Sequence, residues 1–469
     1  MTEKHIITSL LTFLLVGGCA FARSNNSEET QKHKEVRQEK PHPQDKEKIS
    51  FEEGIKKINH VVVIYMENHS FDNLFGEFEG ANGIKNAKKE NIIQVDENGK
   101  PYDNLPEIPR NSSFPTDLPN NVFNIDQYVT ADKATPDVTH QFYHNIMQIN
   151  DGKMNQFALH NHSKGLAMGY YTTKNLPLYP YAKKYTLADN FFQSVFGGSY
   201  INHVYLISAD IPVWHNAPES MIAELDNKGR MLKSGVVSPD GYAINHVLPR
   251  NPPHPAKVDL NKLLPAQSMP TIGERLSEKD ISWAWYSEGW DKAVAGEETN
   301  YAYNHEPFVY FEKYAPGTEA REKHLKDEDD FVKAAKEGNL PSVSFVKPGQ
   351  GYDEHPGSSA VYPSEEHAAK LIDAVMEGPH AEDVLVILTY DEFGGWWDHV
   401  APPIIDRWGP GSRIPAIIIS PFAKKGYIDS TQYETVSILA FIEQRWGLDP
   451  LSKRDKNANP FRGALEFYR

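Results

Sequence analysis

VLVILTYDEFGGWWDHVAPP, residues 384–403, is the stretch on which the reading of this chain turns. Residues 384–388 form an apolar run of strand type that ends in two adjacent carboxylates, Asp391 and Glu392, followed by Gly394 and Gly395. Open α/β sheets place ligands just beyond the carboxyl ends of their strands, so paired acids there are candidates to hold a metal ion or a proton. A second stretch has the same form. INHVVVIYMENHSFDNLFG, residues 58–76, is an apolar strand ending in Glu67 and Asn68. Two buried strands that deliver oxygen donors to one edge predict a composite site for a hard or borderline divalent cation. Carboxylates are seldom buried unpaired, which favours a shared ion over separate helix caps and surface turns.

Elsewhere strand-like and helix-like stretches alternate, which predicts an α/β fold with a mainly parallel central sheet flanked by helices. Further strands are expected at 281–287, 341–348 and 413–421. Helices are expected at 200–209, 270–279, 364–378 and near 434–446, the third with a Ser-x-Glu-Glu start at Ser364 that suits an N-cap. From Thr139 to about His160 the spacing is helical, with Phe142, Ile146 and Ile149 as its apolar stripe. Residues 80–136 and 211–270 are rich in turn-forming residues and read as irregular insertions, the second as a cap beside the active face. No internal repeat is visible, so residues 51–469 are expected to form one domain.

Residues 1–22 read as an export signal, with Lys4 before an apolar run too short to span a bilayer. Two processing sites compete: Ala20-Phe21-Ala22, and a lipoprotein-like Val16-Gly17-Gly18-Cys19 that would leave Cys19 acylated. Cys19 is the only cysteine, which excludes an internal disulfide and a thiolate metal site from the body. Residues 23–50 are almost wholly polar and read as a disordered linker. The protein is therefore expected to be secreted, periplasmic or anchored as an outer-membrane lipoprotein. Its formal net charge is −16 and no long Lys/Arg cluster occurs, so no stable nucleic-acid partner is expected.

FGGSYINH, residues 196–203, is the candidate nucleophile turn. Two glycines permit close backbone approach, and Ser199 would stand where a helix begins, with free N–H groups and the positive end of its dipole facing a bound phosphate. Beside a divalent cation, its hydroxyl could attack phosphorus. As a bare pattern, Gly-Gly-Ser also suits a plain N-cap serine. Histidines supply the third element: His140 one turn before His144, His305 in YNHEPF and His355 in DEHPG. Imidazoles can hold phosphate oxygens or protonate a departing alkoxide. His399, after Asp398, is expected to order the Trp396-Trp397 loop.

Together these segments resemble the bacterial phosphoesterase family that includes acid phosphatase A and the non-haemolytic type of phospholipase C. The matching pieces are HVVVIYMENHSFDNLFG, INDGKMNQF, ADNFFQSVFGGSYINH, SWAWYSEGW, VKPGQGYDEHPG, LTYDEFGGWWDHVAPP and RIPAIIISPFAKKGYIDSTQYETVSILAFIEQRWGL, in family order across about residues 58–448. The resemblance implies an alkaline-phosphatase-like fold and one divalent metal ion (calcium, iron, manganese or zinc) held by Glu67, Asn68, Asp391 and Glu392. It further implies Ser199 as a nucleophile that passes through a covalent phospho-enzyme. His140, His305 and His355 would hold the phosphate or the leaving group. Gly-Gly-Ser at the turn and Asn202-His203 after it are more similar to the acid phosphatase branch. The substrate is then expected to be a phosphate monoester, with phospholipase C acting on phospholipid diesters as the alternative. A non-catalytic surface lipoprotein that binds metal or lipid is the reading from another class.

Overall fold

The computed structural model describes residues 47–109, 113–255 and 257–469. The expected export signal, Cys19 and most of the polar linker lie outside them. The last four residues of that linker belong to the body: Ile49 N donates to Phe467 O at 3.0 Å, and Arg469 N donates to Glu47 O at 2.9 Å. Among the described residues, no helix is long and apolar enough to cross a membrane.

An eight-stranded sheet organises the body. In chain order its strands are β1 (His60–Met66), β2 (Thr186–Ala188), β3 (Trp283–Ser287), β4 (Leu325–Asp327), β5 (Val343–Lys347), β6 (Val384–Tyr390), β7 (Ala416–Ile419) and β8 (Tyr427–Asp429). Across the sheet they run β8-β2-β7-β6-β1-β5-β3-β4. The pairings are parallel except where β7 meets β6 and β2. The two longest strands, VVVIYM and VLVILTY, are apolar without alternation because both faces of the sheet are covered, as in parallel sheets generally. β1 and β6 stay in register from His60↔Val384 to Met66↔Tyr390. Whatever follows Met66 therefore emerges beside whatever follows Tyr390.

Three local expectations are corrected. The helix expected across 139–160 covers only Phe142–Ile149, because Asn150 takes a left-handed φ of 47° and Asp151 and Gly152 follow it in the same region. Asn-Asp-Gly there is a stop signal of the usual kind. Ile146, on the presumed apolar stripe, is 37% exposed, while Phe142 and Ile149 are buried. The helix expected to start at Ser364 starts at Val361; Ala360 is its cap, and the Ser364 hydroxyl donates back to Ala360 O at 2.7 Å. Pro363 lies within that first turn, where its missing N–H would have had no intrahelical acceptor.

Candidate active site

Register assembles the oxygen donors. Asp391 N donates to Met66 O at 3.0 Å, continuing the ladder past the strand ends. Asn68 Nδ2 then donates to Glu392 Oε1 at 3.0 Å. Gly394 closes the turn at φ +63°, and a Cβ there would fall 1.8 Å from Asn68 O. The two loops therefore touch backbone to backbone, with Glu67, Asn68, Asp391 and Glu392 all buried.

Ser199 reaches the same point from a distant part of the chain. Gly197 has φ +66°, and a Cβ there would lie 2.1 Å from Phe142 N, so the turn needs glycine for both conformation and space. Asn202 clamps the turn: Nδ2 donates to the Val195 and Gly198 carbonyls at 3.1 Å each, and Oδ1 accepts from Val195 N at 3.1 Å. Ser199 is the first residue of the helix Ser199–Ser208, Gly198 stands at the cap position, and no side chain caps the helix. The Ser199 hydroxyl is thus not consumed as a cap. It donates to Glu67 Oε2 at 3.0 Å.

Two residues not singled out as functional complete the buried side. His203 Nδ1 lies 2.9 Å from Ser199 O; a carbonyl only accepts, so Nδ1 carries the proton and Nε2 faces Glu67 Oε1 at 3.6 Å. Lys347 ends β5 with Nζ 3.2 Å from Glu67 Oε1. His305 is here too, its Nδ1 3.2 Å from the same oxygen and its ring stacked on His203 with centroids 5.1 Å apart.

The other expected histidines line a cleft of about 260 Å³ whose wall includes Gly198 and Ser199. His140 and His355 meet there edge to face at 5.2 Å, joined by Asp137, His162 and His246. His140 Nε2 is 3.8 Å from Glu392 Oε1, which links the cleft to the buried acids. His144, on the same helix, is not part of the cleft wall. Asn245 and His246 come from the irregular insertion, which had been expected beside the active face. Trp396 and Trp397 are buried packing residues, the former stacked on His69 at 5.7 Å. His399 does order their loop, its Nδ1 2.6 Å from Asp72 Oδ2.

Residues 58–449 match the phosphoesterase family. The chain belongs to that family. Its curated relatives include the haemolytic phospholipase C of Pseudomonas aeruginosa, 24% identical over 457 residues that cover 88% of this chain and 55% of that one. Phospholipase C B of Mycobacterium tuberculosis is 24% identical over 437 residues, covering 83% and 74%. The chain spans about half the length of the Pseudomonas relatives it matches. Among solved structures, a protein of the alkaline phosphatase superfamily from Vibrio parahaemolyticus aligns with a TM-score of 0.34 and 10% identity over 71% of this chain and 73% of that one.

The donor set fits a divalent cation. Glu67 Oε1, Asn68 Oδ1, Asp391 Oδ2, His203 Nε2 and His305 Nδ1 are buried atoms without a hydrogen-bond partner. Donor atoms of Glu67, His203 and His305 lie within 4.8 Å of one another, so nitrogen joins the expected oxygens and widens the choice toward zinc, iron and manganese. Burial pushes the Asp391 and Glu392 carboxyls well above their usual range, and the Glu67 charge adds to the shift in both. Burial, helped by the Lys347 ammonium, holds His203 and His305 well below the imidazole range, so both rings present lone pairs. Burial likewise takes His140 down to about 4.

Proposed function

We propose that this phosphoesterase is an exported, metal-dependent hydrolase of phosphoric esters with Ser199 as its nucleophile. The observation that carries the reading is the 3.0 Å contact between the Ser199 hydroxyl, at a helix start on the cleft wall, and the Glu67 carboxylate. A divalent ion held by Glu67, Asn68, Asp391 and Glu392 would supply positive charge to the phosphate oxygens and favour the ionised serine. Ser199 Oγ attacks phosphorus, and its proton passes toward Glu67 Oε2. The P–O bond to the alcohol breaks, and the departing oxygen takes a proton from His355 on the cleft wall, beside which His140 stays neutral. Water then attacks the phosphoserine, one of its protons restoring that histidine. The Oγ–P bond breaks, phosphate leaves, and Oγ regains its proton from Glu67. His305, against Glu67 rather than on the cleft wall, would offer its Nδ1 lone pair to the ion beside that carboxylate. Ser199→Ala should abolish turnover of a chromogenic phosphate monoester while leaving the circular dichroism spectrum intact; near-normal turnover overturns the assignment.

Two specificities remain within this mechanism. The acid phosphatase-like reading rests on Gly-Gly-Ser and on Asn202-His203. The relatives named phospholipase C favour that activity, in which a diester enters and a phosphomonoester is the second product. Release of diacylglycerol from phosphatidylcholine, set against phosphate release from simple monoesters, separates the two. Acylation at Cys19 would anchor the enzyme to a membrane, and mass spectrometry of the mature N-terminus distinguishes that from cleavage after Ala22. Hydrolysis of neither substrate class by protein that retains metal would favour the non-catalytic lipoprotein.

A further inference from the structure

At the opposite end of the sheet, two chain segments bring together another donor set. His60 opens β1, Asp383 immediately precedes β6, and His380 lies three residues earlier. A seven-residue strand at ~3.3 Å per residue separates this end from Glu67 by about 20 Å. One ligand atom from each of His60, His380 and Asp383 lies within 4.8 Å of the others. Two of the side chains are already oriented by their far atoms. His60 Nδ1 lies 3.0 Å from Pro341 O, so that nitrogen carries the proton and Nε2 keeps its lone pair, the arrangement that metal-bound histidines adopt. Asp383 Oδ2 accepts from Asn59 Nδ2 at 2.8 Å, which leaves Oδ1 buried and without a hydrogen-bond partner. His380 Nδ1 stands 3.6 Å from that Oδ1. Tetrahedral zinc bonds of about 2.0–2.1 Å put neighbouring donors about 3.3 Å apart, so His380 and Asp383 already stand close to that spacing, with the His60 donor within 4.8 Å of both. The His60 and His380 rings pack with centroids 3.8 Å apart. Burial is the main force that lowers the His60 imidazole below its usual range, and His380 adds to it. The His380 and Asp383 side chains keep 21% and 31% of their surface, so an ion and a fourth, water ligand have access.

We propose that His60, His380 and Asp383 form a structural site for a zinc-type divalent cation, separate from the donor set at Glu67. Two imidazoles and one carboxylate select zinc or cobalt over calcium or magnesium. The ion would pin the loop before β6 to the start of β1, the two strands whose register assembles the active site. Equilibrium dialysis of the chelator-stripped full chain against Zn²⁺, followed by elemental analysis, tests this. The unsubstituted protein should keep one zinc more per chain than His380→Ala or Asp383→Asn, and Glu67→Gln should keep that additional ion. Turnover of a chromogenic phosphate ester should be unchanged in His380→Ala. In thermal unfolding, His380→Ala should lose on the order of 3 °C of the zinc-dependent rise, with no difference in Ca²⁺. Equal zinc content in the unsubstituted protein and in both variants, each with an unaltered circular dichroism spectrum, overturns the proposal.

Discussion

Replacing Arg413 by Met should be the most damaging single change outside the active site. Arg413 is fully buried, and its guanidinium meets four acceptors. Nε donates to Asp398 Oδ1 at 3.1 Å, Nη2 to Asp72 Oδ1 at 3.0 Å, and Nη1 to the carbonyls of Asn82 and Asp189 at 2.7 and 2.8 Å. Asp72 lies in the short helix Phe71–Phe75 that follows Asn68, and Asp398 in the loop that continues from Glu392, so the arginine ties together the two segments that carry the acids. Methionine fills much of the volume but leaves two buried carboxylates and two carbonyls without their donor. Breaking a buried ion pair from one side costs about 3–5 kcal/mol, and each orphaned acceptor adds roughly 1–3 kcal/mol. Burial, with Asp72 adding to it, already places the Asp398 carboxyl at about 6 against the pull of Arg413. Without the guanidinium Asp398 should take a proton, which recovers part of the loss. The net expectation is about 5 kcal/mol at pH 7.5, comparable to the whole stability of many domains. A group raised in the folded state contributes stability below its unfolded value and loses it as pH rises, so the deficit should be smaller at pH 5. Urea titrations followed by fluorescence of the eight tryptophans measure this at both pH values. A deficit below about 1 kcal/mol, or one that grows toward pH 5, refutes the reasoning.

Burial pushes the Glu365 carboxyl up to about 8, although Leu178 N donates to it at 2.7 Å. Its contribution is therefore present below pH 4.5 and lost as pH rises through 8, and Glu365→Gln should gain about 4 kcal/mol relative to the unsubstituted protein between pH 5 and pH 9; parallel stability profiles across that range contradict this. Asn202→Ala removes the clamp on the Gly-Gly-Ser turn, so kcat should fall roughly 10–100-fold with KM little changed, at a stability cost of about 1–3 kcal/mol. Unchanged kcat in that variant would show that the turn holds Ser199 without the clamp.

The strand ends were legible because chemistry and periodicity coincided there. Unbroken apolar runs that stop at Glu67-Asn68 and at Asp391-Glu392 state both burial and exit point, and the parallel register of β1 and β6 brings the exits together. The family resemblance, carried by long motifs in order, is shown by the match over residues 58–449. His203 and Lys347 were passed over because their meaning is relational. A lysine at the end of an apolar strand becomes informative only once β5 is known to lie beside β1. His246 sits in a Pro-rich insertion with no periodicity to place it. The edge strands β4 and β8 have three residues each, too few to show a period of two. Ser364 misled because a capping-box pattern can occur inside a helix that starts one turn earlier, and Ile146 because a helix of eight residues buries a narrower stripe than a longer one.

Acid quenching during steady hydrolysis of a phosphate ester, followed by mass spectrometry of the peptide spanning residues 196–203, addresses the nucleophile directly. The account predicts a phosphoryl group on Ser199 that vanishes in Ser199→Ala. Rapid turnover with that peptide unmodified under conditions that preserve phosphoserine, or a phosphoryl group trapped on another side chain, would contradict it.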